Sequence, residues 1–536
     1  MCSAQKCAMS RIAPLGGSWW ALIQALITCI LASMWTGLIP TRIKSLVSGD
    51  KTIAFVVHSP FPTIYQGKTV SCGTIIFYCL NLPPNLCYCH ENTFIASLTP
   101  SPSPPSMITI SHVIDPVVES ALKYSTTPHP LVPTCHKPGG VEVDIKVAPL
   151  VADLEGSCKV GGFLTMAAIM FCTFCLCTQA QLEDLDLSGC ILRNGCDVWE
   201  EAAIWLSTVT KSGREVQARE IGVRWSPLHH LPYWDPVKHV VLSFMHNWLE
   251  GVLQHHLCIL WRIGPLEELK KAIVELKKDE QWSQADSQES AEKLEDLQKE
   301  AEEANEQADA AAHTMRDSPS PTLSTASNVT PTQDNPQPNP YPFMDVDNGN
   351  NDDTTIDSDS DFIPLDSETF TFSNSELAAI HDCISNISLP TWVGWPPSNL
   401  GNKSHRKLKA HELLSLFSVI FPFIIPEFWY SPTATQTQKN HLECFHHLVS
   451  ATNITCSFKT SNEEADQYTH HYIEYRKLIP TLFPQSHSLP NHHFVMHSSS
   501  QLKYWGPNPP ISEFSGERMN SMLQNISTNW RLCMFW

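Results

Sequence analysis

Three separate stretches of the chain carry side chains that could bind divalent metal ions. The segment LPYWDPVKHVVLSFMHNWLEG, residues 231 to 251, places Asp235, His239 and His246 beside an apolar run. Asp153 follows an alternating apolar segment, and Glu517 stands at the start of a predicted helix. Phosphoryl transfer by two metal ions needs carboxylates that converge on ions about 3.5–4 Å apart. Asp153 and Glu517 are the candidate carboxylates, and His246 is a candidate neighbour.

Each of these residues also has a purely structural explanation. A histidine beside an apolar helical stripe is more often an ordinary core or surface residue than a metal ligand. Asp235, which precedes Pro236, is typical of a turn. Acidic residues are common at helix starts, because they interact favourably with the helix dipole. The residue types alone therefore leave both explanations open.

A cysteine cluster is a second candidate metal site. Cys172, Cys175 and Cys177 form the pattern C-x2-C-x-C within FCTFCLC. This pattern resembles half of a zinc site, which would still need a fourth ligand. The alternative is that the thiols are small buried core side chains. The chain has 19 cysteines, an odd number, and at 536 residues it is too large to need a disulfide framework.

Basic residues cluster in GNKSHRKLKAHE, residues 401 to 412. Lys403, Arg406, Lys407 and Lys409 are the best local candidates for contacts with DNA phosphates. A solvated basic turn explains the same residues equally well. No Ser/His/Asp order, phosphate-binding loop or dinucleotide fingerprint occurs elsewhere in the sequence, and no small-molecule substrate is indicated.

The net charge of −20 does not exclude nucleic acid as a partner. Residues 265 to 370 contain 26 acidic and 7 basic side chains, so this single segment accounts for nearly all of the excess. The rest of the chain is close to neutral. Phosphate binding requires a local basic patch rather than an overall basic chain.

Periodicity predicts an α/β protein with a long insertion. Strands are predicted over 52–61, 73–82 and 141–153, and a helix over 242–253. Residues 164–177 form either a buried helix or a knuckle, and 415–429 a core helix. The insertion starts with a charged helix or a short coiled coil and continues as an acidic segment too polar to order. The predicted parts are an apolar segment (1–50), a first core part (51–263), a helical insertion (264–316), a disordered linker (317–375) and a helical part that completes the core (376–536).

An uncharged stretch near the start leaves a membrane alternative open. Residues 18–39 are about long enough to span a bilayer. Polar residues within the stretch weaken this interpretation, and a buried helix is the competing one.

Several stretches, taken in order, resemble the transposases of CACTA (En/Spm-type) DNA transposons. The matching stretches are QGKTVSCGTIIFYCLNLPPNLCY (66–88), APLVADLEGSCKVGGF (148–163), FCTFCLC (171–177), RWSPLHHLPYWDPVKHVVLSFMHN (224–247), LPTWVGWPPSNLGNKSHRKLKAHE (389–412) and LPNHHFVMHSSSQLKYWGPNPPISEFSGERMNSMLQ (489–524). The resemblance implies an RNase H-like DDE transposase core with a large insertion. It also implies a nuclear protein that cuts and joins DNA at transposon ends with Mg²⁺ or Mn²⁺, with self-association possible.

The resemblance assigns roles to individual residues and shows where this chain departs from the family. Asp153 matches the second catalytic Asp, Glu517 the catalytic Glu and His246 the His of the D-x-x-H motif, while the three cysteines match the family's cysteine cluster. Ser243 stands where that motif has Asp, and Val56 stands where the first catalytic Asp belongs. Since valine cannot bind a metal ion, we expect a catalytically impaired transposase-derived protein. The rival expectation is a non-enzymatic nuclear protein that binds DNA or protein.

Overall fold

A computed structural model describes the parts of the chain that the sequence predicts to form the core. These are residues 52–58, 61–65, 68–98, 109–133, 137–166, 168–186, 189–263, 370–390, 393–401 and 407–524. They all fall within one compact unit. The predictions for 1–50, for the membrane alternative at 18–39 and for nearly all of the insertion lie outside the described residues.

A mixed four-stranded sheet forms one part of the unit. Its strand order is β5-β4-β1-β8, in which β1, β4 and β5 are antiparallel neighbours and β8 runs parallel to β1. Two short two-stranded sheets, β2-β3 and β6-β7, accompany it. The strands are β1 (Thr52–His58), β2 (Phe61–Tyr65), β3 (Lys68–Cys72), β4 (Thr74–Cys79), β5 (Thr93–Leu98), β6 (Leu131–Val132), β7 (Val141–Glu142) and β8 (Asp144–Leu150).

The parallel edge of the sheet continues beyond β8. Leu150 pairs with Val240 in a parallel bridge, supported by hydrogen bonds from Leu150 N to His239 O (2.8 Å) and from Val241 N to Leu150 O (3.0 Å). The predicted alternation before this point is confirmed, because Val143, Ile145 and Val147 are buried. Residues just after Leu150 therefore lie at the carboxyl end of a strand that has partners on both sides.

Helices make up most of the remaining described structure. The described residues of 164–177 contain no helix, so the buried-helix alternative is wrong there. The main helices are α1 (Pro84–Cys87), α2 (Thr109–Ser125), α3 (Leu154–Gly161), α4 (Gly195–Ser207), α5 (Lys211–Ile221), α6 (Met245–Leu253, π-helical), α7 (Asn374–Asn386), α8 (Ala410–Ser415), α9 (Phe421–Trp429), α10 (Gln436–Thr455), α11 (Asn462–Leu482), α12 (Pro490–Phe494), α13 (Ser498–Trp505) and α14 (Phe514–Gln524). Two further π-helical stretches are His256–Leu260, after α6, and Leu416–Ile420, which joins α8 to α9.

Two apolar clusters hold these elements together. One surrounds the sheet, α2 and the segment 171–177, and the other joins α6 with α7 to α11. In the described part of the chain, the stretch Ala410–Trp429 is long and apolar enough to cross a membrane, with mean hydropathy 1.5 and half of its window buried. Leu413, Phe417 and Phe421 are completely buried in the second cluster. This burial confirms the predicted core helix over 415–429.

The chain leaves for the insertion and returns from it at neighbouring points. Ile263 is the last described residue before the gap, and it is buried in the helical cluster. After the gap, Phe372 packs edge-on against Trp261, with ring centroids 5.3 Å apart. The two ends of the insertion are therefore anchored in the same apolar cluster.

Candidate functional site

Four buried side chains from two distant segments form a compact group that could bind a metal such as zinc. The ligand atoms of Cys172, Cys175, His493 and His497 all lie within 4.8 Å of one another. Cys175 Sγ lies 3.1 Å from His493 Nε2, and Cys172 Sγ lies 3.5 Å from His497 Nε2. The two Nε2 atoms are 3.3 Å apart.

These separations match a tetrahedral zinc shell. Zn–S bonds of about 2.3 Å and Zn–N bonds of about 2.0–2.1 Å imply about 3.6 Å between a sulfur and a nitrogen ligand, and about 3.3 Å between two nitrogens. The observed distances differ from these values by half an ångström or less. Two thiols and two imidazoles are also a ligand set that structural zinc sites use.

The cysteine side of the group is shaped by backbone hydrogen bonds rather than by a helix. Phe174 N donates a hydrogen bond to Cys172 Sγ at 3.4 Å. Arg193 Nε donates to Cys172 O (3.0 Å) and to Cys175 O (3.2 Å), so one buried guanidinium joins both ends of the turn. Arg193 N in turn donates to Phe174 O at 2.9 Å. These contacts aim both thiols in the same direction.

Helical spacing places the two histidines of the group on the same side of their segment. His493 in α12 and His497 are four residues apart, which puts both rings on one helical face. Tyr472 Oη donates to His492 O at 2.8 Å and Tyr468 Oη to Val495 O at 2.9 Å, so α11 holds this turn in place. The spacing H-x3-H is one that zinc sites combine with C-x2-C.

Sequence analysis identified two of the four residues and missed the other two. Cys177 is outside the group, since its thiol hydrogen-bonds to Thr178 O (3.4 Å) and Gln181 O (3.8 Å). The pairing of C-x2-C with H-x3-H could have indicated His493 and His497. That signal was obscured because neighbouring positions in this segment are also histidines.

The second candidate site lies beyond the carboxyl end of β8. Asp153 caps α3 and accepts a hydrogen bond from Gly156 N at 2.6 Å. Burial raises the pKa of Asp153, although the Gly156 hydrogen bond and the charge of His246 oppose this effect. Asp153 therefore lies after the strand, as expected. Its carboxylate already accepts a hydrogen bond from the backbone of α3.

His246 is the cation of this site. Its Nδ1 lies 2.9 Å from Glu250 Oε2, one turn further along α6. Burial by itself would lower the pKa of His246, but the hydrogen bond to Glu250 and the charges of Glu513 and Asp153 raise it to about 9. The imidazole is therefore positively charged at neutral pH.

Two glutamates from the C-terminal part complete the site. Glu513 is completely buried and accepts a hydrogen bond from Met245 N at 3.1 Å. Burial raises the pKa of Glu513, against the attraction of His246. Burial and the nearby carboxylates of Glu250 and Asp153 also raise the pKa of Glu517.

The structure thus brings Asp153 and Glu517 within electrostatic reach of His246, whose charge acts to lower the pKa of both carboxyl groups. Sequence analysis missed Glu250 and Glu513, which are their neighbours. Among the described residues, only the Cys/His group brings three or more ligand atoms within 4.8 Å of one another. The carboxylates are therefore spread more widely than a formed metal shell requires.

Asp235 and His239 serve a different part of the fold. Asp235 Oδ1 accepts hydrogen bonds from Val237 N (3.1 Å) and Lys238 N (3.0 Å), as a turn residue does. The ring of His239 is buried near Trp234 and Trp505. Of the polar residues in the stretch 231–251 that first suggested a metal site, only His246 lies with the acidic residues.

Part of the basic segment lies near the acidic site. Lys407 and Lys409 are exposed on either side of buried Leu408, whereas Lys403 and Arg406 fall outside the described residues. Burial raises the pKa of Glu250, but the hydrogen bond and charge of His246, together with Lys407, lower it overall. Lys407 is therefore within electrostatic reach of the site.

The two sites offer different chemistry. The Cys/His group provides soft and borderline ligands in a closed arrangement, which suits a structural metal ion. The acidic site provides hard oxygen ligands, which suit Mg²⁺ or Mn²⁺, beside a protonated imidazole. No protein-family model and no curated protein sequence matches this chain.

The substitution Glu250→Gln tests the charge balance of the acidic site. It removes the carboxylate that hydrogen-bonds to His246, so we expect the pKa of His246 to fall from about 9 to below about 8. The measurement is an NMR titration of the His246 ring. The matched control is Glu215→Gln, an exposed glutamate paired with Lys211, which should leave the titration unchanged.

The same titration has a consequence for stability. A histidine with a raised folded-state pKa stabilises the fold fully below its usual pKa of about 6.5, and this contribution is lost as pH rises through about 9. Urea unfolding should show a larger loss of stability between pH 6.5 and 9.5 in the wild type than in Glu250→Gln. Equal losses would contradict the role of this ion pair.

Proposed function

We propose that this chain is a transposase-derived protein with an RNase H-like core, in which a structural zinc ion is retained and catalysis is impaired. The observation that carries the proposal is the convergence of Asp153, His246 and Glu517. Glu517 comes from the far side of the insertion, yet its pKa responds to the charges of both other residues. The catalytic roles come from the resemblance to CACTA transposases.

The sheet supports the same proposal. Three antiparallel strands are followed, through α2, by a strand parallel to β1, and Asp153 stands just beyond that strand. Rigid strand ends are suitable places for carboxylates that hold metal ions. The position aligned with the first catalytic Asp, Val56, lies in β1, where its backbone pairs with Tyr78 and its neighbour Val57 pairs with Leu150.

Impaired catalysis follows from the residues that would bind the metal ions. A valine at position 56 removes one carboxylate from the two-ion arrangement, and the charge of those ions is what stabilises the reacting oxygens. Protonated His246 competes with a metal ion for the remaining acidic groups. In this proposal Asp153 and Glu517 would hold Mg²⁺ or Mn²⁺ only weakly.

The zinc assignment is tested by metal content. We expect the wild type to contain about one zinc ion per chain more than Cys175→Ser or His493→Ala does, measured by mass spectrometry of the purified protein. The midpoint of thermal unfolding should fall by about 5 °C or more in these variants, because binding of a structural metal contributes to folding. Cys177→Ser is the matched control, since its thiol is buried nearby but lies outside the group. A lower zinc content in this control, or a zinc content in Cys175→Ser equal to that of the wild type, would refute the assignment.

The catalytic assignment is tested by nicking of supercoiled plasmid DNA with Mn²⁺. We expect the wild-type rate to lie within about 10-fold of that of Asp153→Ala, because the metal arrangement already lacks one carboxylate. Asp235→Ala, which removes a carboxylate outside the site, controls for folding. A clear wild-type activity that Asp153→Ala abolishes and Asp235→Ala retains would show that the site is still catalytic.

A second candidate function is non-enzymatic DNA binding in the nucleus. The observation that favours it is the exposure of Lys407, which is within electrostatic reach of the acidic site, and of Lys409, two residues further along the chain. A DNA backbone that approached the acidic site would pass Lys407. If the chain derives from a transposase, Lys407 and Lys409 would still contact DNA phosphates after catalysis was lost. The same surface could serve a protein with no enzymatic role.

Gel-shift assays with salt titration test this second function. The double substitution Lys407→Ala/Lys409→Ala should weaken binding to duplex DNA by about 10-fold at low salt. It should also make the fall of log affinity with log salt concentration shallower, by the equivalent of about one to two phosphate contacts. The matched control is Lys439→Ala/Lys459→Ala, which removes two other exposed lysines. Equal binding by both double variants would exclude a specific role for the basic segment.

A further inference from the structure

Two tandem histidine pairs face each other across the α10–α11 helix pair. His446 and His447 lie in α10, and His470 and His471 lie in α11. His447 and His471 are half-buried between the helices, whereas His446 and His470 are exposed. None of these four residues belongs to the Cys/His group or to the acidic site.

The four rings form one continuous contact. His447 Nδ1 lies 2.9 Å from His471 Nδ1. Ring centroids are 5.2 Å apart for this pair, 5.7 Å for His446 and His471, and 6.0 Å for His447 and His470. The helices therefore present four imidazoles at one place on the surface.

The inner pair is suited to accept a cation. Only one of two nitrogens 2.9 Å apart can carry a hydrogen between them, so the other nitrogen must be unprotonated. Burial, reinforced by the neighbouring histidines, lowers the pKa of His447 and of His471. Both rings are therefore neutral at physiological pH and have lone pairs available.

We propose that the two tandem histidine pairs form a second metal site, which binds a late first-row divalent ion such as Ni²⁺, Cu²⁺ or Zn²⁺. His447 and His471 supply the first two ligands through Nδ1, and the ion takes the place of the hydrogen that they share. His446 and His470 are the nearest candidates for further ligands. Their exposure leaves the site open to solvent.

The separation of the inner nitrogens fits this class of ion. Metal–nitrogen bonds of about 2.0–2.1 Å at right angles place adjacent ligands about 2.9 Å apart, and tetragonal geometry with nitrogen ligands is typical of Cu²⁺ and Ni²⁺. A tetrahedral zinc site would need only a few tenths of an ångström more. Imidazole ligands without thiols disfavour the hard ions Mg²⁺ and Ca²⁺.

The surrounding charge also favours a cation. Glu443 in α10 and Glu474 in α11 are close enough to counteract the lowering of the pKa of His447. Glu474 also pairs with Lys477 at 2.8 Å. Because Lys477 offsets the charge of Glu474, Glu443 supplies the net negative charge beside the neutral imidazoles, and a divalent ion would neutralise it.

Isothermal titration of the full zinc-loaded chain with Ni²⁺ tests the proposal. Nickel is suitable as a probe because it does not oxidise the free thiols that copper would attack. We expect one additional Ni²⁺ per chain in the wild type. The double substitution His447→Gln/His471→Gln should weaken binding at least about 100-fold, since loss of a residue outside the ligand shell already costs about 10- to 100-fold.

Three further measurements keep the result interpretable. His90→Gln, which removes an exposed histidine paired with Glu91, should bind Ni²⁺ as the wild type does. His446→Gln/His470→Gln changes only exposed side chains and should weaken binding about 10-fold even if the inner double variant does not fold. Ni²⁺ should also raise the unfolding temperature of the wild type, because it joins two helices. No Ni²⁺ binding by the wild type, or undiminished binding by both double variants, would overturn the proposal.

Discussion

The meeting of two cysteines with two histidines is the constraint on which the described fold most depends. Cys172 and His497 are 325 residues apart in sequence, yet their ligand atoms lie 3.5 Å apart. The cysteine segment contains no helix, and without a fixed partner its backbone would have many conformations to lose on folding. Arg193 restrains this segment from one side, and the histidine face of α12 meets it from the other. A metal ion bound there would join the sheet-side cluster to the C-terminal helices.

The acidic site depends on a different balance, between burial and charge. Glu513 is completely buried at the start of α6, and carboxylates from three segments lie around a single protonated imidazole. Burial raises the pKa of Asp153 and of Glu517, and carboxylates near each of them add to the effect, so their ionisation works against the fold. His246 relieves part of this cost through its positive charge. A divalent ion would relieve the same cost, which places proton binding and metal binding in direct competition.

Local patterns were sufficient to predict many of the elements, because they report on which side chains face the core. The alternation through Val143, Ile145 and Val147 predicted a strand, and the apolar run over 415–429 predicted a buried helix; both are confirmed. The position of Asp153 after its strand followed from the same pattern. The RNase H-like identity of the sheet remains a prediction from the resemblance.

The partners in each site were harder to predict, because they come from segments far apart in sequence. His493 and His497 had a usable spacing signal, but it lay in a histidine-rich stretch. Glu513 carried no such signal, since nothing local distinguishes a carboxylate that will be buried from one that will be solvated. Cys177 fitted the local pattern and still lies outside the group, because the backbone turn aims only two of the three thiols at the histidines.

The contact between Trp261 and Phe372 has a consequence for how this architecture tolerates change. A segment whose two ends are anchored side by side can vary in length at a small entropic cost, which grows only with the logarithm of the number of residues. The length of that segment therefore has little effect on the stability of the fold. Domain fusions or large deletions between those anchors would leave both sites intact, which makes this junction a natural place for the chain to acquire new sequence.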